Sequence, residues 1–183
     1  AVPDGAVLVV RAGHYASFTI QQKGLTILAD PGVSFGGATS AALEIRDLTA
    51  NQRVFVRGLA TSSATSGITT ILGADCLGSI VIDQFSGYDT QVDVSNCAQV
   101  QLIGCSILSQ ATPYVLAAID SDVLVTDCVL RSSSQSFHGV TVDSQGGRLH
   151  VTRTDVFGAS PSFGVGGDAV RLQGCEARVD GQS

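Results

Sequence analysis

The chain has 183 residues, 44% hydrophobic and only 14% charged, with 21 Gly, so it can fill one sizeable core and suits turn-rich β-structure. Ten basic against sixteen acidic residues leave a formal charge of −6, and every basic residue but Lys23 is Arg. An acidic chain without a basic stripe has nothing with which to displace phosphate counterions, so nucleic acid is excluded as a partner. No apolar run approaches the ~18 residues of a transmembrane segment. An anionic polysaccharide would likewise be repelled unless a local Arg cluster or a bound cation offset the field.

In chain order, one six-residue phrase returns seven times. It runs Leu25-Thr-Ile-Leu-Ala-Asp30, Val54-Phe-Val-Arg-Gly-Leu59, Ile80-Val-Ile-Asp-Gln-Phe85, Val100-Gln-Leu-Ile-Gly-Cys105, Val123-Leu-Val-Thr-Asp-Cys128, Leu149-His-Val-Thr-Arg-Thr154 and Val170-Arg-Leu-Gln-Gly-Cys175. The first and third positions are always aliphatic, the period-2 signature of a strand with one buried face. A weaker strand precedes most copies, at Leu43-Glu-Ile, Thr70-Ile-Leu, Val92-Asp-Val, Leu116-Ala-Ala-Ile and Val140-Thr-Val. Each is followed by Asp47, Asp75, Asn96, Asp120 or Asp143, residue types that tolerate sharp, left-handed corners.

Strand, polar corner, strand and loop make one coil, and a single coil cannot bury its apolar face, whereas a stack buries a continuous core. The sequence therefore predicts an all-β fold, a right-handed parallel β-helix (solenoid) of about seven coils, with 1–183 as a single β-helix domain. A β-sandwich is the structural alternative. Beginning at Ala1 and lacking Met, the chain reads as a fragment of a longer protein, and its uncapped ends expose strand edges open to self-association.

The five cysteines follow the coil. Cys105, Cys128 and Cys175 share the sixth position of the phrase, while Cys76 and Cys97 share a corner, so stacked, buried thiols packing as small apolar groups are expected. Without C-x-x-C or H-x-x-H spacing no metal site is expected. Bridges from Cys105 to Cys128 or Cys76 to Cys97 lie within Cα reach of ~4.4–6.8 Å, but parallel side-chain directions oppose them.

Alternation sends the second and fourth positions outward. Phe55, Arg57 and Asp83 then form one candidate ligand-binding cluster, an aromatic platform beside a charged pair, and His150 with Arg171 a second; surface ion pairing alone would also account for both. Leu28, Phe55, Val81, Ile103 and Leu124 would make an exposed apolar stripe that binds a partner or lies under the longer insertions, Pro31 to Ala42, Ala60 to Gly67, Gln110 to Tyr114, Ser132 to His138 and Ala159 to Gly167. A further outward set follows the sixth position: Ser106 and Leu108, Val129 and Arg131, Asp155 and Phe157, Glu176 and Arg178. It would place Asp155 one coil from Glu176, near Arg131 and Arg178; two carboxylates at suitable separation can hydrolyse a glycosidic bond, and charge balance along a strand ladder would also account for them. His14 is read as a turn residue.

The coil rhythm, together with the opening stretch Pro3-Asp-Gly-Ala-Val-Leu-Val-Val-Arg-Ala-Gly-His-Tyr15, Phe18-Thr-Ile20 and Lys23-Gly-Leu-Thr-Ile27, resembles the pectin-lyase-like family of right-handed β-helices and the first coils of its secreted bacterial members. The resemblance covers nearly the whole chain and implies an outer sheet that carries a sugar cleft. Lyases of the family use an Arg or Lys as base with acids gathering Ca²⁺, and no coil here sets a dense acid cluster beside an Arg. Phe137-His138-Gly139 is similar to the Gly-His-Gly of polygalacturonases, but their Asp-Asp and Arg-Ile-Lys motifs are missing, as is the Asp-Pro-His-Glu of alginate epimerases.

Two functions follow as expectations. The first is a secreted or surface β-helix module with a structural, adhesive or carbohydrate-binding role, taking polysaccharide and needing no cofactor. The alternative is a polysaccharide-active enzyme, a lyase or glycoside hydrolase, in which Ca²⁺ would serve only the lyase case.

Overall fold

The computed structural model describes residues 2–36, 41–61, 69–110, 114–133, 141–158 and 169–180, and among them regular structure is entirely β. Every ladder is parallel, as an antiparallel sandwich cannot be, and successive strands stack on their counterparts one coil away. The chain is a parallel β-solenoid.

Each coil has three faces. The first stacks Ala6–Val10, Leu25–Ala29, Arg53–Arg57, the second half of Thr69–Asp83, the second half of Thr90–Ile103, Asp122–Thr126, Arg148–Thr152 and Glu176–Asp180. The second runs from Gly13–Tyr15 through Ser86–Tyr88 to Asp155–Phe157 and forms a 7-stranded sheet. The third runs from Phe18–Gln21 through the first halves of the two long strands to Val170–Gln173. First and third faces are one 13-stranded sheet bent along a corner, because Thr69–Asp83 and Thr90–Ile103 run through the bend.

Six copies of the phrase lie over one another on the first face. Val100 sits against Val123 and Val123 against Leu149, all buried. The seventh does not join them: Val170–Gln173 pairs with Val142–Gln145 on the third face, and the strand above Leu149 is Glu176–Asp180, with Ala177 in register. Each face of a solenoid points every second side chain inward, so the phrase fits a third-face strand equally well. Hence Cys175 belongs with Cys76 and Cys97 at the corner between third and first faces, and like Cys76 it donates its S–H to a carbonyl of the neighbouring coil, here Ser144 O at 3.6 Å.

The polar corners are left-handed as expected at Asp47, Asp75, Asn96 and Asp120, with φ of 55°, 53°, 53° and 47°. Asp143 is not a corner. It lies within Val142–Gln145, and the chain turns at Gly146 and Gly147 instead. A Cβ on Gly147 would stand 2.2 Å from Ser121 O, so only Gly fits this close crossing. His14 is likewise not a turn residue. It sits in Gly13–Tyr15, with Nδ1 3.2 Å from Ser34 Oγ of the next coil.

The corner thiols do more than fill space. A corner interrupts the ladder, and the N–H just past the bend needs an acceptor. Cys105 N–H donates to Cys128 Sγ at 3.3 Å, Cys128 N–H to Thr154 Oγ1 at 3.2 Å, and Cys97 N–H to Ser121 Oγ at 3.0 Å. Each of these acceptors passes its own proton to the carbonyl two residues back: Cys128 to Thr126 O, Thr154 to Thr152 O and Ser121 to Ile119 O. Cys, Ser and Thr are interchangeable here because each donates once and accepts once.

Candidate functional site

On the first face, three outward positions per strand repeat along the stack. The first holds Arg53, Ser79, Gln99, Asp122, Arg148 and Glu176; the second Thr26, Phe55, Val81, Gln101, Leu124, His150 and Arg178; the third Leu28, Arg57, Asp83, Ile103, Thr126, Thr152 and Asp180. Neighbours along each line are ~4.8 Å apart.

Phe55, Arg57 and Asp83 come together here. Arg57 Nε lies 3.4 Å from Asp83 Oδ2 and donates to Gln84 Oε1 at 3.3 Å, while the Arg53 guanidinium stacks 5.6 Å from the centroid of the Phe55 ring. Phe55 is half-buried above Val81, which at 2% exposed is covered. The apolar stripe is thus broken at Val81, and Leu28 and Ile103 run on a different line from Phe55 and Leu124. Most of the insertions that were to cover the stripe, and His138 with them, fall outside the described residues.

His150 and Arg171 are not neighbours. His150 is on the first face beside Arg178, whereas Arg171 is on the third, donating from Nε to Asp143 Oδ1 at 3.0 Å. The misplaced last phrase is the cause. It also separates Asp155, on the second face, from Glu176, on the first, so the carboxylate pair proposed for glycoside hydrolysis does not form.

What surrounds His150 is a self-compensated charge cluster. Its Nε2 lies 3.0 Å from Asp180 Oδ2 and 3.2 Å from Thr152 Oγ1, and Arg178 Nε is 3.0 Å from the same Asp180 oxygen. A relay in which His takes a proton from Thr while Asp orients the ring needs the two partners on opposite ring nitrogens. Both meet Nε2, so no nucleophile is activated. The contacts with His150 and then Arg178 hold the Asp180 carboxyl below its usual value. One line over, Arg148 pairs with Asp122 and also feels Glu176, and its hydrogen bond lowers the Asp122 carboxyl. Asp122 and Arg148 escape a search that starts at the phrase's first aliphatic residue. Extending the alternation back one step, from Val123 and Leu149, reaches both.

Asp122, Arg148, His150, Glu176 and Arg178 floor and edge an open groove of about 660 Å³ with Ser79, Gln99, Gln101 and Leu124 along its length and the exposed Leu77 at its rim. Amides and the Ser79 hydroxyl alternate with apolar floor, Asp122 is paired with Arg148, and Glu176 adds a carboxylate beside that pair. The third face is more acidic: Thr19, Glu44, Leu72, Asp93, Ala117, Asp143 and Arg171 form one outward line, with Arg171 5.9 Å from the Tyr114 ring centroid. Among the described residues no three His, Cys, Asp or Glu side chains converge to hold a metal ion, and no helix is long and apolar enough to cross a membrane.

These features define the chain as a parallel β-solenoid with a polar groove along one face. Compared with protein-family models, curated proteins and solved structures, it matches none.

Proposed function

We propose that this chain is a non-catalytic, polysaccharide-binding β-helix module, secreted or held at the cell surface, and that the first-face groove takes an uncharged glycan. One observation carries the reading: a groove several coils long offers Gln99, Gln101 and Ser79 as hydrogen-bond partners beside Leu124, while Asp122 and Arg148 are paired with one another. Sugar rings present hydroxyl edges and apolar C–H faces, which such a lining complements. The chain's net charge of −6 disfavours polyuronates by long-range repulsion.

A glycan array with neutral glucans, mannans and xylans beside polyuronates tests this. Retention of a neutral polysaccharide is expected, weakened at least about tenfold by a Gln101→Ala, His150→Ala double variant that loses two hydrogen-bonding groups. Equal retention of the double variant, or binding confined to polyuronates, would overturn the assignment. Release of unsaturated or reducing ends, abolished by Arg57→Ala, would replace it with an enzyme.

A further inference from the structure

The five cysteines divide by position into two stacked pairs and one without a neighbour. Cys76 and Cys97 lie opposite one another in the ladder, each with its S–H turned to the carbonyl two residues back, Ala74 O at 3.2 Å and Ser95 O at 3.3 Å. Cys105 and Cys128 immediately precede the paired residues Ser106 and Val129, and the Cys105 N–H reaches Cys128 Sγ at 3.3 Å. Cys175 occupies the same corner line as Cys97, but Ser121 and Gly147 stand in the coils between. All five are free thiols, four of them fully buried.

We propose that Cys76 with Cys97, and Cys105 with Cys128, are inter-coil disulfide pairs that close when the chain folds in the presence of a small-molecule disulfide, leaving Cys175 as a thiol. One coil rise of ~4.8 Å is the Cα separation of an in-register pair, inside the ~4.4–6.8 Å that a disulfide spans. The Cβ atoms share that rise and must close to ~3.5–4.5 Å, a shift of about 0.3 to 1.3 Å. Mid-strand, the parallel ladder resists it. At these corners the ladder is already interrupted, by a register shift between Cys97 and Gln99 and by the turns between Ile103 and Ser106 and between Thr126 and Val129.

The exchange is complete in two steps. A Cys76 thiolate attacks one sulfur of the small disulfide, forming a mixed disulfide and expelling one small thiolate. Cys97, surrendering its proton, attacks the Cys76 sulfur and expels the second. The protein loses two electrons and two protons, and the small disulfide becomes two thiols. In the finished fold burial shuts out the oxidant, which places the reaction in folding.

Refolding the reduced full chain in a buffer of oxidised and reduced glutathione, blocking with an alkylating agent and mapping the digest tests this. Expected are linked Cys76–Cys97 and Cys105–Cys128 peptides, a single alkylated cysteine at Cys175, and a melting temperature several degrees above that of the reduced protein. Cys97→Ser keeps the corner hydroxyl that Ser121 uses, so it should fold, expose Cys76 to alkylation and leave Cys105–Cys128 linked. Five alkylated cysteines, or peptides joining one pair to the other, would refute the pairing; a single bridge would refute it for the open pair.

Discussion

The middle of the stack and its last coil are written in the same hexapeptide yet are physically different. In the middle, Leu102 and Val125 have a coil on both sides and are 0% exposed. In the last coil, Leu172 and Val179 occupy inward lines, over Ser144 and Val151, yet are 44% and 61% exposed because no described coil lies beyond them. Inward direction is set by the strand; burial is set by the neighbour. Stability in a solenoid is a sum over coil interfaces, and an end coil has only one.

The sharpest way to break this contrast is a matched pair of truncations. Leu102→Ala removes a fully enclosed side chain and should cost about 2–5 kcal/mol. Val179→Ala should stay within about 0.5 kcal/mol. Urea unfolding of both variants checks the difference; equal costs would mean that the last coil is covered in solution. A smaller effect separates two corner glycines. Gly174→Ala meets nothing within 4 Å and carries only the left-handed backbone penalty of about 1–2 kcal/mol at its φ of 60°. Gly147→Ala adds a backbone collision with Ser121 and should cost about 3 kcal/mol or more.

The same contrast explains what the sequence could and could not convey. Val54, Ile80, Val100, Val123 and Leu149 announce the stack because an aliphatic residue at every second position, returning after loops of unequal length, has no other common explanation. Arg57 and Asp83 could be paired for the same reason, since adjacent phrases fix the register. Val170-Arg-Leu-Gln-Gly-Cys175 misleads because Gly174 is left-handed at the corner from third to first face, as Gly104 is at the corner from first to second. Nothing local distinguishes those bends. That one-face error moved Arg171, Cys175 and Glu176 together, and with them the second candidate site. The corner role of Cys128 was illegible for another reason: a thiol reads as a small apolar group until a backbone N–H is seen pointing at it.

The finest test lies on the third face, where two carboxyls of one outward line are stabilised differently. Asp143 is buried and paired with Arg171, near the end of the stack. Asp93, in the middle, is half-buried between Leu72 and Ala117 with the Gln91 amide as its one partner among the described residues, and desolvation raises its carboxyl above the usual value. A raised carboxyl binds its proton more tightly folded than unfolded, so its contribution is greatest at low pH and is lost as pH rises through the folded value. Asp93→Asn, neutral throughout, should therefore be more stable than the parent at pH 7, with the gap closing as pH falls towards the ordinary carboxylate value of 3.8. Asp122→Asn should show the opposite sign. Arg148 lowers the Asp122 carboxyl, so the parent holds its advantage above 3.8 and loses it as pH drops further, through the depressed folded value. Urea midpoints of both variants against the parent between pH 3 and 7 check the two slopes, and an Asp93→Asn gap that widened on acidification would show that its carboxylate is held by a cation rather than strained by burial.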